Sequence, residues 1–476
     1  MEPFALIIFG VSGNLAQLKL IPALYDLEDK NLLPEGSFVV GIARREWTAG
    51  DFEKYIREVL GAPNEHHQHE IREGVVRSLL LKMHYLRGDF ESGQGYAELK
   101  AFLASREAEH NHLYYLATYP QHYGAIFEAL RQNSMDKLTG GWVRLMIEKP
   151  IGWDEKSAAE LDTLVHRYFT EEQIYRLDHY LGKETIQNML VFRFGNGMLS
   201  PLLNRKYVEQ IQITAAEDFG IGKRGGYYDS MGALRDVGQN HMVQLIVAAT
   251  MESPGKFTNR EITDRRIEIL ERLKAEPDKI VFGQYNGYRY EEKVAPDSDN
   301  DTFFALRTEV DNERWRGVPI YMRAGKKLAR TVTEIDIVFK SPKNRLFADY
   351  ELGDRPNVLT FRLRPNEGIG LSMLVKRPGH KLQLDRDFMQ YCYKNSKTSE
   401  PDAYEKLIYD AMSGDPTFFN DAPEVAAAWR FTDKLMAGRG KPEIYDPGSW
   451  GPEAANKLIE ADGRSWMEPD PALCSI

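Results

Sequence analysis

The sequence predicts a chain of α/β plus α+β class. A doubly wound parallel sheet over residues 1–178 precedes a larger domain over 179–476, whose mostly antiparallel sheet is covered by helices. Three observations predict this. Apolar runs at Phe4–Phe9, Phe38–Ala43, Leu79–Leu86, Leu113–Leu116 and Val143–Ile147 are separated by helical patterns such as Leu15, Leu18, Ile21, Leu24 and Tyr25. Continuous apolar strands alternating with helices are the pattern of a parallel sheet buried on both faces. From about residue 180 the strand-like stretches crowd together: Tyr207–Ala216, Phe303–Val310, Ile320–Arg323, Thr333–Lys340, Val358–Leu363 and Leu371–Lys376. Several of these alternate with period two, and helices at roughly 229–251 and 262–273 would cover one face.

Bulk properties bound the function. The 476 residues carry 61 basic and 71 acidic side chains, a net charge of −10, so a nucleic-acid surface would have to be a local patch against the overall field. The run Phe4–Phe9 is too short for a signal segment, and the sequence has no 18-residue apolar stretch to cross a membrane. Cys392 and Cys474 do not make a disulfide framework and fit a reducing compartment. The expectation is a soluble, cytoplasmic protein.

The first strand is followed at once by Gly10-Val11-Ser12-Gly13-Asn14-Leu15-Ala16, which opens an amphipathic helix. Glycines at the first and fourth places let the backbone turn tightly and approach a pyrophosphate seated on a helix N-terminus. This GxxGxxA pattern makes the first sheet a Rossmann-like, dinucleotide-binding one. The second strand ends in Arg44-Arg45-Glu46. An arginine there suits the 2′-phosphate of NADP, while Glu46 leaves NAD as a second choice. Asp89 and Phe90, after the third strand, are candidates for the adenosine wall. Lys149 ends the fifth strand beside Pro150, where a rigid turn could fix its ammonium over the reacting centre.

The most informative stretch is Arg176-Leu177-Asp178-His179-Tyr180-Leu181-Gly182-Lys183-Glu184. It sits where open α/β sheets place their ligands, at the carboxyl end of a strand. Asp178 can orient and charge-stabilise a base, and His179, Tyr180 and Lys183 form a donor nest for an anion such as a phosphate. The second histidine site is Arg235-Asp236-Val237-Gly238-Gln239-Asn240-His241. Gly232 and Gly238 each cost about 1 kcal/mol in a helix interior, so something must approach closely there. Asp236 and His241, five apart, would share a pocket on an α-helix only if the pocket wraps around it. His66-His67-Gln68-His69 imitates a metal site, but it lacks a carboxylate cluster and reads as a solvated helix start.

Together with Glu148-Lys149-Pro150-Ile151-Gly152 and Arg323-Ala324-Gly325-Lys326-Lys327, these motifs resemble those of glucose-6-phosphate dehydrogenases. Trp450-Gly451-Pro452 and Asp462-Gly463-Arg464-Ser465-Trp466 look like bacterial members. The resemblance implies oxidation of glucose 6-phosphate to its 1,5-lactone, the first step of the oxidative pentose phosphate pathway. His241 would be the base and Asp178 its partner, which would raise the imidazole pKa. His179, Tyr180 and Lys183 would hold the phosphate, Glu217 and Asp236 the sugar hydroxyls, and Lys326 and Arg330 would approach from the second domain. Lys149 would touch both sugar and nicotinamide, and Pro150 would be cis. Gly10, Ser12, Gly13, Leu15, Arg44, Asp89 and Phe90 match the cofactor side, and no metal is required. A homodimer through the large sheet is implied, with a tetramer as its pairing. An apolar sheet face through Ile335, Ile337 and Phe339 is expected to carry it.

Two departures stand out. Asn14 replaces an Asp of many members, and Arg364 replaces a Gln. The alternatives are an oxidoreductase for 6-phosphogluconate or an unphosphorylated hexose, and a non-catalytic NADP sensor. The anion nest argues against free glucose, and retention of both Asp178 and His241 argues against a sensor.

Overall fold

The computed structural model describes residues 1–476 except 64–70, 107–110, 139, 344–345, 351, 353–354, 396–400 and 476. The histidine run 66–69 lies outside the described residues. The first sheet comprises β1 (Ala5–Phe9), β2 (Phe38–Ala43), β3 (Met83–Arg87), β4 (Asn111–Leu116), β5 (Trp142–Ile147) and β6 (Ile174–Arg176), in the spatial order β3-β2-β1-β4-β5-β6 and all parallel. β1, β2 and β4 are buried along their whole length, as a sheet with helices on both faces requires. One run differs from expectation: Leu79–Lys82 belongs to the helix Glu73–Lys82, and the strand begins at Met83. A short apolar run does not by itself distinguish a buried helix turn from a strand.

The second sheet has nine strands: β7 (Val208–Ala216), β8 (Ile280–Tyr285), β9 (Phe303–Thr308), β10 (Ile320–Gly325), β11 (Val332–Phe339), β12 (Val358–Arg364), β13 (Gly368–Lys376), β14 (Leu384–Cys392) and β15 (Glu443–Tyr445). Their order is β14-β13-β12-β11-β7-β10-β9-β8-β15. Neighbours are antiparallel except for β7 with β10 and β8 with β15. The helix Ala403–Ser413 returns to the first sheet and buries Tyr404, Leu407, Ile408 and Met412 in its core.

The expected apolar outer face is not there. Period two turns Ile335 and Ile337 inward with Leu359 and Phe361, into the core shared with the covering helices. Their neighbours Glu334, Asp336, Thr360 and Arg362 point the other way and are also buried. The C-terminal segment covers them as a strap. Gln212 donates to Ser465 O at 2.9 Å, Arg323 to Met467 O at 2.9 Å, and Arg362 to Asp470 O at 2.9 Å and Leu473 O at 3.1 Å. Glu334 meets Arg362 at 2.7 Å. These bonds satisfy buried polar groups that would each cost about 1–3 kcal/mol unpaired. The strap ends in a Cys392–Cys474 disulfide, so the expected pair of unlinked thiols is corrected: strap packing brings together cysteines 82 residues apart. No helix among the described residues is long and apolar enough to cross a membrane.

Candidate active site

The carboxyl ends of the first sheet face a groove that runs into a cleft between the two sheets. At the first end, Gly10 takes a positive φ of 97° and donates to Ile42 O at 2.9 Å. A β-carbon there would collide with the Ala117 carbonyl, so only glycine permits this close turn. Gly10, Ser12, Gly13, Arg44, Asp89 and Phe90 line one cavity of about 730 Å³. Leu15 and Asn14 border the adjoining one. The cradle fits a dinucleotide, with open backbone at a helix start and an exposed arginine beyond it. Glu46 turns away to pair with Arg87 at 2.7 Å. Asp89 spends one oxygen on the backbone N–H groups of Glu91 and Ser92, both at 2.9 Å. Thr118, Tyr119, Gln121 and His122 also line this cavity. The sequence reading missed them, although they follow β4 where strand-end logic would look.

The second cavity, about 400 Å³, is lined by Lys149, His179, Tyr180, Glu217, Asp236, His241 and Lys326. Asp178 lies just behind it, where its Oδ1 meets His241 Nδ1 at 2.5 Å and accepts from Tyr180 N at 2.9 Å. The rings of His241 and Tyr180 stack with centroids 4.2 Å apart, and His179 packs edge-on to His241 at 4.3 Å. One ligand atom each of Asp178, His179 and His241 lies within 4.8 Å of the others.

The helix supplies a geometry the spacing did not. Leu234–Met242 is a π-helix, whose i→i+5 bonds set residues five apart about one above the other. Asp236 and His241 thus enter one pocket without wrapping the helix. The close approach demanded by Gly238 comes from Phe304 of β9, 2.9 Å from a hypothetical β-carbon.

Charges in and beside the cleft are arranged in pairs, with Lys183 and Glu367 outside its lining. Lys149 Nζ donates to Asp236 O at 2.9 Å and Oδ1 at 3.3 Å. Lys326 binds Glu217, and Lys183 binds Glu367 at 2.7 Å. Burial opposes ionisation of Asp236, but Lys149, Arg224 and Lys326 prevail and pull its carboxyl down to about 2. Burial likewise opposes the Asp178 charge, and His241 with the Tyr180 N–H outweighs it, so the carboxyl stays below its usual range. His241 itself is lowered: burial and Lys149 outweigh the pull of Asp178. The expected upward shift is therefore corrected, and the imidazole is a free base at neutral pH. His179 falls well below the usual imidazole value through burial, then His241, Lys149 and Lys183. It offers hydrogen bonding without charge.

Arg330 is not brought to the cleft. Its guanidinium donates to Pro469 O of the strap at 3.2 Å. The Lys149–Pro150 bond is cis. Arg224, Thr333 and Tyr404 line the cleft unforeseen. Tyr404 lies 5.9 Å from His179, ring stacked on ring. Beneath it Glu148 accepts from Tyr115 Oη at 2.6 Å, and burial raises its carboxyl.

The chain matches the NAD binding domain of glucose-6-phosphate dehydrogenase over residues 7–188 and that enzyme's C-terminal domain over residues 190–467. It is 39% identical to glucose-6-phosphate 1-dehydrogenase 2 of Mycobacterium bovis, covering 98% of this chain and 95% of the relative. Identity to the glucose-6-phosphate 1-dehydrogenase of Bacillus subtilis is 35%, with 97% of each chain covered. Among solved structures, a glucose-6-phosphate dehydrogenase in complex with its substrate superposes with a TM-score of 0.88 at 33% identity, covering 98% of this chain and 99% of that one. The glucose-6-phosphate 1-dehydrogenase of Mycobacterium avium gives 0.86 at 32%, covering 98% of each. The chain belongs to the glucose-6-phosphate dehydrogenase family, oxidoreductases that act on a CH–OH group with a nicotinamide cofactor.

Proposed function

We propose that this chain oxidises D-glucose 6-phosphate to 6-phospho-D-glucono-1,5-lactone, using NADP and entering the oxidative pentose phosphate pathway. The observation that carries the reading is a buried, neutral His241 held by Asp178, with His179 and Tyr180 lining the same cavity. NADP, when bound, supplies the hydride acceptor. Asp178 fixes the tautomer by accepting a hydrogen bond from the Nδ1–H and leaves Nε2 as the basic nitrogen. His241 Nε2 takes the proton of the C1 hydroxyl as the C1 hydrogen leaves with its bonding pair as hydride, and the C1–O bond becomes the lactone carbonyl. Asp178 then stabilises the imidazolium. Lys183, His179 and Tyr180 hold the phosphate, and Glu217, Asp236, Lys149 and Lys326 orient the ring. Arg330 has no part in this arrangement.

The direct test is reduction of NADP followed by absorbance with glucose 6-phosphate, 6-phosphogluconate and glucose in turn. Only the first should react efficiently, and no turnover of glucose 6-phosphate with either NADP or NAD contradicts the reading. The preference for NADP rests on exposed Arg44 at the end of β2 and on Glu46 being engaged by Arg87. Arg44→Ala should raise the KM for NADP about tenfold while that for NAD moves less than about twofold, since only NADP carries the 2′-phosphate. Equal losses would assign Arg44 to the adenine.

A homodimer, or a pair of dimers, follows the family resemblance. Support within the chain lies at edge strand β14, where Met389 and Tyr391 are 67% and 51% exposed, because an unpaired edge with apolar side chains invites association. Light scattering at micromolar concentration should give at least twice the 54.6 kDa chain mass. A stable, active monomer contradicts the dimer. Cytoplasmic location remains part of the reading, but the Cys392–Cys474 bond removes the cysteine argument for it.

A further inference from the structure

The turn between β12 and β13 holds Lys183 and contributes Arg364 to the cleft. Leu363 O and Glu367 Oε1 both accept from Lys183 Nζ, at 3.3 and 2.7 Å. Glu367 Oε2 accepts from Thr185 Oγ1 at 2.6 Å. Between them, Arg364 lines the same cavity as His179, Tyr180 and Glu217. Its side chain is 42% exposed, and its carboxylate neighbour, Glu217 Oε1, is 3.9 Å away, beyond hydrogen-bond distance. The other oxygen of Glu217 is held by Lys326. Lys149, Lys183 and Lys326 each sit closer to an acid than Arg364 does. The Arg364 charge is felt at the Tyr180 phenol, which burial pushes up to about 12 against the pull of Thr333 and Arg364. Arg224, the other arginine of the cavity, acts instead on Asp236 and Tyr227, beside Lys149.

We propose that Arg364 is a specificity-determining residue for the phosphate group: its guanidinium leaves its loose contact with Glu217 and closes on the dianion held by His179, Tyr180 and Lys183. The inference rests on the proposed glucose 6-phosphate reading and deepens it. A planar guanidinium can grip two phosphate oxygens at once, which an amide cannot match in charge and an ammonium cannot match in geometry. Because His179 is neutral, Lys183 is the only charged member of the three-residue nest, and a dianion calls for a second cation. The turn provides one on the residue next to the carbonyl that holds Lys183. Release of Arg364 leaves Glu217 to Lys326 and a sugar hydroxyl.

The experiment compares Arg364→Gln and Arg364→Lys with wild type. In Arg364→Gln the KM for glucose 6-phosphate should rise about tenfold with kcat within about twofold, a loss of one charge-assisted contact. The preference for glucose 6-phosphate over free glucose, as a ratio of kcat/KM, should fall by the same factor. Arg364→Lys should recover part of it. Inorganic phosphate, titrated calorimetrically, should bind wild type more tightly than Arg364→Gln. An unchanged KM, equal losses on phosphorylated and free sugar, or equal phosphate affinity overturns the proposal. The phosphate titration decides this even if wild type fails to oxidise glucose 6-phosphate, so the two failures can be told apart.

Discussion

His241→Asn should lower kcat by about 10²–10⁴-fold and change the KM for glucose 6-phosphate by less than about threefold. The imidazole acts on a proton that moves only as C1 is oxidised, so its loss falls on the transition state. Asn is the informative replacement because its amide can still donate to Asp178, which is 2% exposed. Alanine would leave that buried carboxylate with the Tyr180 N–H alone, at a cost of about 1–3 kcal/mol in folding, and so mix stability with chemistry. Steady-state kinetics with NADP check the result. A kcat within about tenfold of wild type would remove His241 from the role of base.

Lys183→Ala should act in the opposite way. Its ammonium is the charged member of the nest and is held ready by Glu367 and Leu363 O. Losing a hydrogen bond to a charged group is worth about 1.5–3 kcal/mol, so the KM for glucose 6-phosphate should rise roughly 10- to 150-fold with kcat little altered. His179→Asn should do the same more weakly, because a neutral imidazole contributes a hydrogen bond of about 0.5–1.5 kcal/mol and no Coulomb term. A Lys183→Ala enzyme with normal KM and collapsed kcat would place that residue in the chemistry.

The parallel sheet was legible because its strands are continuous apolar runs, and the helix-plus-glycine turn at Gly10–Leu15 marks its ligand edge. Asp178 and Lys149 could be read as strand-end residues on the same logic. The pairing of Asp236 with His241 could not, because five-residue spacing has opposite meanings on α- and π-helices. Nor could the sign of the imidazole shift, which depends on burial by Tyr180 and His179 and on the Lys149 charge. Ile335 and Ile337 were correctly read as one face of a strand, but alternation cannot say which layer lies on which face. The strap that covers Glu334 and Asp336 comes from residues more than a hundred positions away. β14 escaped notice because Asp385, Arg386 and Asp387 interrupt its apolar pattern at an exposed edge.

The pH dependence of kcat/KM, measured side by side for wild type and His241→Asn, tests the central claim that a neutral His241 is the base. Burial and Lys149 hold its imidazole below the usual value, so the active, unprotonated form prevails at neutral pH and is lost only as pH falls. Wild type should show an acid limb with a midpoint below about 6.5, the value of a free imidazole, in addition to the titration of the substrate phosphate near 6. His241→Asn should keep the phosphate titration and lack that limb. An identical acid limb in both proteins would contradict the account.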